Sequence, residues 1–189
     1  MYNIICFEAE WLYNNNKENR FNLKTESLLN CLKEFYGCKI IYRQVLHKQD
    51  LSYYLRYFRE HKRISNNYPI IYIASHGDKG CIHLEDGDID LFELAEEAKG
   101  FFENKVIHFS CCKTLSDPDL ISDFKNMTKA SLVTGYSKSV DAMKSAIADI
   151  ALFNSMMHLT NFGTIKNQDW SSFRKTYKSL LEELGFEAY

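Results

Sequence analysis

Short apolar runs alternate with amphipathic segments along the chain. Five runs have the residue types of buried strands, and they cover residues 3–7, 39–45, 69–76, 106–110 and 132–136. Between them apolar residues recur at helical spacing, as in the helix predicted over residues 25–36 and stopped by Gly37. This alternation is typical of a parallel sheet covered by helices. We therefore predict an α/β fold, a three-layer sandwich with a mostly parallel central sheet and helices on both faces.

Capping signals indicate where the later helices begin. Asp90-Leu91-Phe92-Glu93 has the pattern of a capping box, and Asp117 precedes Pro118 at a first helical position. Further candidate caps are Asp50, Ser139 and Asp169. Residues 81–89 instead surround the turn Glu85-Asp86-Gly87-Asp88 and predict a small surface hairpin.

The composition fits a single globular domain over residues 1–189. Apolar residues make up 46% of the chain and charged residues 25%, which are ordinary values. The formal net charge of -2 offers no basic surface for nucleic acid, and no apolar run has membrane-spanning length. We expect neither a nucleic-acid nor a membrane partner. Because residues 1–8 have no features of a secretion signal, we expect a cytoplasmic protein.

Two of the predicted strands end in residues capable of nucleophilic chemistry. Ser75-His76-Gly77 follows the apolar run 70–74, and Ser110-Cys111-Cys112 follows the run 106–109. If these strands are parallel neighbours, an imidazole and a thiol meet at one edge of the sheet, where open α/β folds place their chemistry. The six cysteines are predicted to be free thiols, because a chain of 189 residues needs no disulfides to build a core.

At these residues the chain resembles the caspase-like cysteine peptidases, the fold group that includes CHAT domains, separases, legumains and gingipains. Ile71–Gly77 is similar to the group's strand ending in His-Gly, and His108–Thr114 to the CHAT strand ending in Ser-Ala-Cys. Residues 132–141 and the long helix after them are similar to the CHAT segment that follows the cysteine. The caspase string Gln-Ala-Cys-Arg-Gly is missing, which speaks against a caspase-type aspartate preference.

The resemblance implies a catalytic dyad of His76 and Cys112. Successive strand residues face opposite sides, so only one of Cys111 and Cys112 can face His76, and the resemblance selects Cys112. An ordinary thiol, with a pKa of about 8.5, is mostly protonated at neutral pH and needs a nearby base. His76 would supply this base and later protonate the leaving amine. The backbone N–H groups of Gly77 and Cys112 would bind the oxyanion if His-Gly forms a tight turn.

We therefore predict a cysteine endopeptidase that acts on a protein or peptide without a metal or other cofactor. A peptidase domain with no sensing domain needs control by a regulatory protein partner or by an activation event. The polar segment that follows the first strand and extends through Leu23 is a candidate flap over the site.

Three carboxylates indicate the substrate preference. In the doubly wound strand order 2-1-3-4, the end of the first strand borders the crevice, so Glu8 and Glu10 would emerge there. The CHAT resemblance places Asp141 near the specificity pocket. An acidic pocket of this kind would favour Arg or Lys before the scissile bond. The alternative is that all three are solvated loop or helix-cap carboxylates.

Two other functions are compatible with the same residues. A fold of this group can serve as a catalytically silent interaction module. Alternatively, Cys81-x-His83 and His108-x-x-Cys111-Cys112, joined by His76, offer zinc-type ligands. Zinc is disfavoured because there is no C-x-x-C pair and adjacent strand cysteines point apart. We predict instead that His83 lies on the hairpin surface and that His108 packs under a helix.

Overall fold

The computed structural model describes residues 2–9 and 25–189. Its strands are β1 Ile4–Glu8, β2 Ile40–Gln44, β3 Ile70–Ala74, β4 His76–Asp78, β5 Cys81–Leu84, β6 Gly87–Asp90, β7 Val106–Ser110, β8 Leu132–Tyr136 and β9 Phe186–Ala188. Its helices are α1 Thr25–Tyr36, α2 Lys48–Glu60, α3 Lys62–Ser65, α4 Leu91–Glu97, α5 Pro118–Thr128, α6 Ala142–Met156, α7 Gly163–Lys166, α8 Ser172–Thr176 and α9 Lys178–Leu184. The predicted flap falls mostly on residues 10–24, outside the described residues.

A six-stranded sheet in the order β2-β1-β3-β7-β8-β9 forms the centre of the described structure. Strands β2, β1, β3, β7 and β8 pair in parallel, and β9 pairs antiparallel with β8. The predicted α/β class is confirmed. The order 2-1-3-4, which was assumed for the first four predicted strands, is the observed order. The antiparallel edge strand β9 was not predicted.

Helices cover both faces of this sheet and make three layers. Because side chains alternate along each strand, Ile71 belongs to the apolar layer under α2, α4 and α5, whereas Tyr72 belongs to the layer under α1 and α6. Both layers exclude water from the central strands. Among the described residues, no helix combines the length and the apolar character needed to cross a membrane.

The third predicted strand ends two residues earlier than expected. It stops at Ala74, and His76 and Gly77 belong to β4, which pairs with the predicted hairpin β5-β6 in a separate antiparallel sheet. The tight turn at His-Gly on which the Gly77 and Cys112 oxyanion site was made conditional is not formed, because these residues continue in extended backbone along β5. The hairpin itself is confirmed.

Several helix starts are confirmed and others are shifted. Asp90 and Asp117 cap α4 and α5 as predicted, each accepting hydrogen bonds from backbone N–H groups of the first turn. Helix α6 is capped by Asp141 instead of Ser139, and α8 by Ser171 in place of Asp169. In both cases a second capping residue lies two positions further along the chain.

Candidate active site

Strands β3 and β7 bring their carboxyl ends together. Their parallel ladder ends with Ala74 opposite Ser110. The next residue of each segment continues the pairing through its side chain, because Ser75 Oγ lies 3.2 Å from Cys111 Sγ. The two segments therefore stay side by side beyond the sheet.

The same two segments are also in contact at the residues that follow His76 and Cys112 in the chain. A Cβ placed on Gly77 would lie 2.4 Å from Thr114 Oγ1, so the backbone at this glycine passes directly against residue 114. One residue later, Lys113 Nζ lies 3.2 Å from Asp78 Oδ1 in a partly exposed ion pair. Residues 75–78 thus run alongside residues 111–114.

His76 and Cys112 lie within these paired segments. His76 stands between Ser75, which contacts Cys111, and Gly77, which packs against Thr114. Cys112 stands one residue after Cys111 in the facing segment. Both predicted dyad residues are partly exposed. The structure therefore brings the two predicted reactive residues to one end of the sheet, although their catalytic roles stay a prediction.

The sulfur of Cys112 contacts the loop that precedes α6. The backbone N–H of Val140 donates to Cys112 Sγ at 3.4 Å. The same sulfur lies 3.9 Å from the carbonyl of Val140. Immediately afterwards Lys113 adopts a left-handed conformation with φ of 52°, and its N–H donates to the carbonyl of Lys138 at 2.9 Å. The chain therefore turns directly after Cys112.

Cys111, the rival nucleophile, has a different environment. Only 1% of its surface is exposed, and its Sγ lies against Ser75 Oγ and the carbonyl of Ile73. Burial raises the pKa of the Cys111 thiol to about 12. At neutral pH this thiol is protonated and enclosed, so it is poorly suited to attack a substrate.

His76 is half-buried on the small sheet, in register with His83 of β5. Burial, and then the neighbouring His83, lower the pKa of His76 to about 4. The imidazole is therefore neutral at neutral pH. A ring with so low a pKa is a weak base, because the surroundings that lower the pKa disfavour the imidazolium that forms when the ring takes a proton.

A protein-family model described as a family of unknown function, DUF6642, matches the chain over residues 1–189. The chain belongs to the DUF6642 family. None of the curated proteins matches it. The chemistry of this DUF6642 protein has therefore to be inferred from the residues and their geometry.

The predicted substrate carboxylates of the DUF6642 chain have different surroundings. Glu8 is fully buried, and its carboxylate accepts from the Tyr42 hydroxyl at 2.9 Å and from the Thr25 N–H at 3.4 Å. Contact between Glu8 and a substrate would require this carboxylate to be uncovered. Glu10 lies outside the described residues. Asp141 is exposed and caps α6, as the alternative interpretation expects, which leaves a substrate role for it open.

A group of polar side chains that the sequence analysis missed lies between the central strands and α6. This buried polar cluster consists of Tyr72, His108, Ser110, Thr134, Tyr136 and Asp149, all at most 3% exposed. The expectation that His108 packs under a helix is confirmed. His108 and Ser110 share one strand face, and Asp149 interrupts an apolar helix face, so this pattern could have revealed the cluster.

Asp149 is the common acceptor of the buried polar cluster. Its carboxylate accepts from the hydroxyls of Tyr72 at 2.7 Å, Ser110 at 2.6 Å and Tyr136 at 2.5 Å, and it lies 2.6 Å from His108 Nε2. Burial alone would raise the pKa of Asp149, but His108 and the hydroxyl donors hold it below its ordinary value. Because the cluster is enclosed, its role in the DUF6642 fold is to join α6 to three strands.

The predicted zinc ligands do not come together as one set. His108 belongs to the buried polar cluster, whereas Cys81 and His83 lie on the small sheet. His83 is partly exposed on the hairpin, as predicted, and its Nδ1 lies 2.5 Å from Asp88 Oδ1. The structure thus separates Cys81 and His83 from His108, and it places the Asp88 carboxylate beside His83.

Proposed function

We propose that this DUF6642 protein is a cysteine endopeptidase in which Cys112 is the nucleophile and His76 the general base. The observation that carries the proposal is the side-by-side course of residues 75–78 and 111–114 at the carboxyl ends of adjacent parallel strands. The resemblance to the caspase-like cysteine peptidases leads to the same two residues and is part of the proposal.

The reaction follows from the chemistry of these two groups. His76 takes the proton from the Cys112 thiol, and the sulfur attacks the carbonyl carbon of a peptide bond. The resulting oxyanion would be bound by the N–H of Cys112. The part assigned to Gly77 required a tight turn at His-Gly, and this glycine lies instead in the extended strand β4. When the C–N bond breaks, His76 returns its proton to the leaving amine. Water, deprotonated by His76, then hydrolyses the thioester and regenerates the thiol.

The surroundings of the two cysteines favour Cys112 as the nucleophile. Cys112 is partly exposed, and the Val140 N–H donates to its Sγ at 3.4 Å. Cys111 is buried, and burial raises the pKa of its thiol to about 12. Burial and His83 lower the pKa of His76 to about 4, so the proposed role of this ring requires a bound substrate or an activation event that raises its pKa.

We also propose a preference for a basic residue before the scissile bond, with Asp141 as its partner. Among the three predicted carboxylates, Asp141 is the one that is both described and exposed. It follows Val140, whose N–H reaches the Cys112 sulfur, so the carboxylate belongs to the loop that borders the nucleophile. The partial burial of both dyad residues is compatible with control by a regulatory protein partner or an activation event.

Thiol reactivity tests the nucleophile without a known substrate. A cysteine-directed electrophile should label Cys112 faster than Cys31, which is exposed and lies on α1. His76→Ala should slow labelling at Cys112 and leave Cys31 unchanged, because only Cys112 depends on the imidazole. Equal rates at the two cysteines in the unmodified protein would exclude activation of the thiol.

Cleavage of a peptide library tests the reaction and the preference. We expect cuts after Arg or Lys that disappear in Cys112→Ala and persist in the matched variant Cys111→Ala. Cleavage that survives Cys112→Ala would move the nucleophile elsewhere. If neither form cleaves the library and Cys112 labels slowly, the catalytically silent interaction module becomes the better proposal.

A further inference from the structure

The small sheet β4-β5-β6 has one apolar and one polar face. Ile82 and Ile89 are buried in the core under α4 and α5. Since side chains alternate along antiparallel strands, the neighbouring positions face away from this core. This outer face carries His76, Asp78, Cys81, His83, Asp88 and Asp90.

Three of these side chains converge. One ligand atom each from Cys81, His83 and Asp88 lies within 4.8 Å of the other two. His83 and Asp88 are in register across β5 and β6, and their side chains are 36% and 59% exposed. Cys81 is partly exposed on the same strand as His83. A dissolved ion can therefore reach a thiol, an imidazole and a carboxylate together.

The backbone that carries these ligands is well supported. The Cys81 carbonyl accepts from Thr114 Oγ1 at 3.2 Å, and the carbonyl of Gly80 accepts from the Leu91 N–H at 3.0 Å. Ile82 and Ile89 hold the underside of the hairpin in the core. Ligands on paired strands are positioned more firmly than ligands on a loop, which lowers the cost of ordering them around an ion.

We infer that Cys81, His83 and Asp88 form a zinc site, with water in the fourth position. Sulfur, nitrogen and oxygen ligands together suit Zn²⁺, whereas Mg²⁺ and Ca²⁺ prefer oxygen alone. Zinc–ligand bonds are about 2.0–2.3 Å long, so ligand atoms already within 4.8 Å need only small side-chain rotations. The Cys81 thiol now donates to the Asp78 carbonyl at 2.9 Å. On binding, its proton passes to solvent and the Zn–S bond forms.

This site differs from the zinc motif in the sequence and from the expectation of a metal-free protein. His108 of that motif lies in the buried polar cluster, and Asp88 takes its place as a ligand. The zinc site does not depend on the proposed peptidase activity, because neither Cys112 nor His76 is one of its ligands.

Metal titration of the chelator-treated 189-residue chain tests the site. Zn²⁺ alone, followed by competition with a chromophoric chelator, should bind at one ion per chain. Co²⁺ should give a thiolate-to-cobalt charge-transfer absorption. Cys81→Ser should remove this absorption. Cys81→Ser, His83→Gln and Asp88→Asn should each lower the affinity for zinc at least about tenfold, because even the loss of a hydrogen bond that supports a ligand lowers metal affinity by about that factor.

Cys31→Ser is the matched control, because it removes an exposed thiol from α1. It should leave zinc affinity and the cobalt spectrum unchanged, and circular dichroism should show that every variant is folded. Three results would overturn the site: no saturable zinc binding by the unmodified protein, unchanged binding by folded Cys81→Ser, or loss of binding in Cys112→Ser while Cys81→Ser still binds. The last result would place the ion at the proposed dyad.

Discussion

The replacement Asp149→Ala should be among the most destabilising single changes in the described structure. It removes one acceptor from four buried partners, which are Tyr72, His108, Ser110 and Tyr136. All four side chains are at most 3% exposed, so no water replaces the lost carboxylate without rearrangement. Each stranded polar group then carries the cost of its desolvation.

The expected loss in the free energy of unfolding is large. Leaving one buried polar group without its partner costs about 1–3 kcal/mol, and a whole domain is stable by only about 5–15 kcal/mol. Because four buried groups lose the same acceptor, we expect Asp149→Ala to lose at least about 3 kcal/mol. Asp149→Asn should lose less, because its oxygen still accepts, although its amide hydrogens face the hydroxyl donors.

Urea unfolding followed by circular dichroism measures this loss through the shift in midpoint at constant slope. Asp169→Ala is a matched control, since Asp169 is exposed, and it should stay within about 0.5 kcal/mol of the unmodified protein. A loss below about 1 kcal/mol for Asp149→Ala, the net value of one ordinary hydrogen bond, would refute the idea that the cluster stabilises the fold.

The acid side of the stability curve gives a second check on Asp149. Its pKa is lower in the folded protein than in the unfolded chain, so its contribution is present above the ordinary carboxyl range and is lost as the pH falls through the folded pKa. Asp149→Asn cannot titrate. Its stability should fall less steeply in acid than that of the unmodified protein, and identical acid slopes would contradict the shifted pKa.

Three further predictions concern other parts of the structure. His83→Gln should raise the pKa of His76 from about 4 towards its ordinary value, as measured by NMR titration of the ring; an unchanged pKa would leave burial as the sole cause. Gly77→Ala would put a Cβ 2.4 Å from Thr114 Oγ1 and should lower the free energy of unfolding, measured in urea, by about 1–3 kcal/mol. The control Gly163→Ala meets only a side-chain amide at 3.1 Å and should be nearly neutral. Equal effects of the two replacements would contradict the close packing at Gly77. Burial raises the pKa values of the tyrosines in the buried polar cluster far above 10. Because the tyrosines of the unfolded chain then ionise first, the free energy of unfolding should fall as the pH rises above 10. A free energy of unfolding that does not change at alkaline pH would argue against this burial.

The sequence pattern predicted the large elements well. The parallel strands β1, β3, β7 and β8 are mostly apolar runs of five buried residues, so their composition identifies them. The parallel strand β2 lies at the sheet edge and is partly exposed. The strands β4 and β9 have only three residues each, which is too short for the alternation of apolar and polar residues along a strand to be recognised. The shifted caps at Asp141 and Ser171 have a similar cause, because two capping residues stand close together and packing chooses between them.

The candidate site could be predicted only where topology determines it. The order of the strands brings the residues after β3 and β7 together, and the sequence indicated this order. The burial of Glu8 depends on Thr25 and Tyr42, which are distant in the sequence and meet only in the fold. Asp88 is close to Cys81 in the sequence, but it completes the ligand set only through the register in which β5 pairs with β6.

Helix α6 extends from the buried polar cluster to the end of the sheet where Cys112 lies. Asp149 lies in the middle of the helix, and about 12 Å of helix separates it from the N-cap residue Asp141. Val140, the residue before this cap, donates its N–H to the Cys112 sulfur. The rate of electrophile labelling at Cys112 should therefore change when Asp149 is replaced. Asp149 does not contact the thiol, and the effect would come from a shift of α6 that moves Val140 relative to the sulfur.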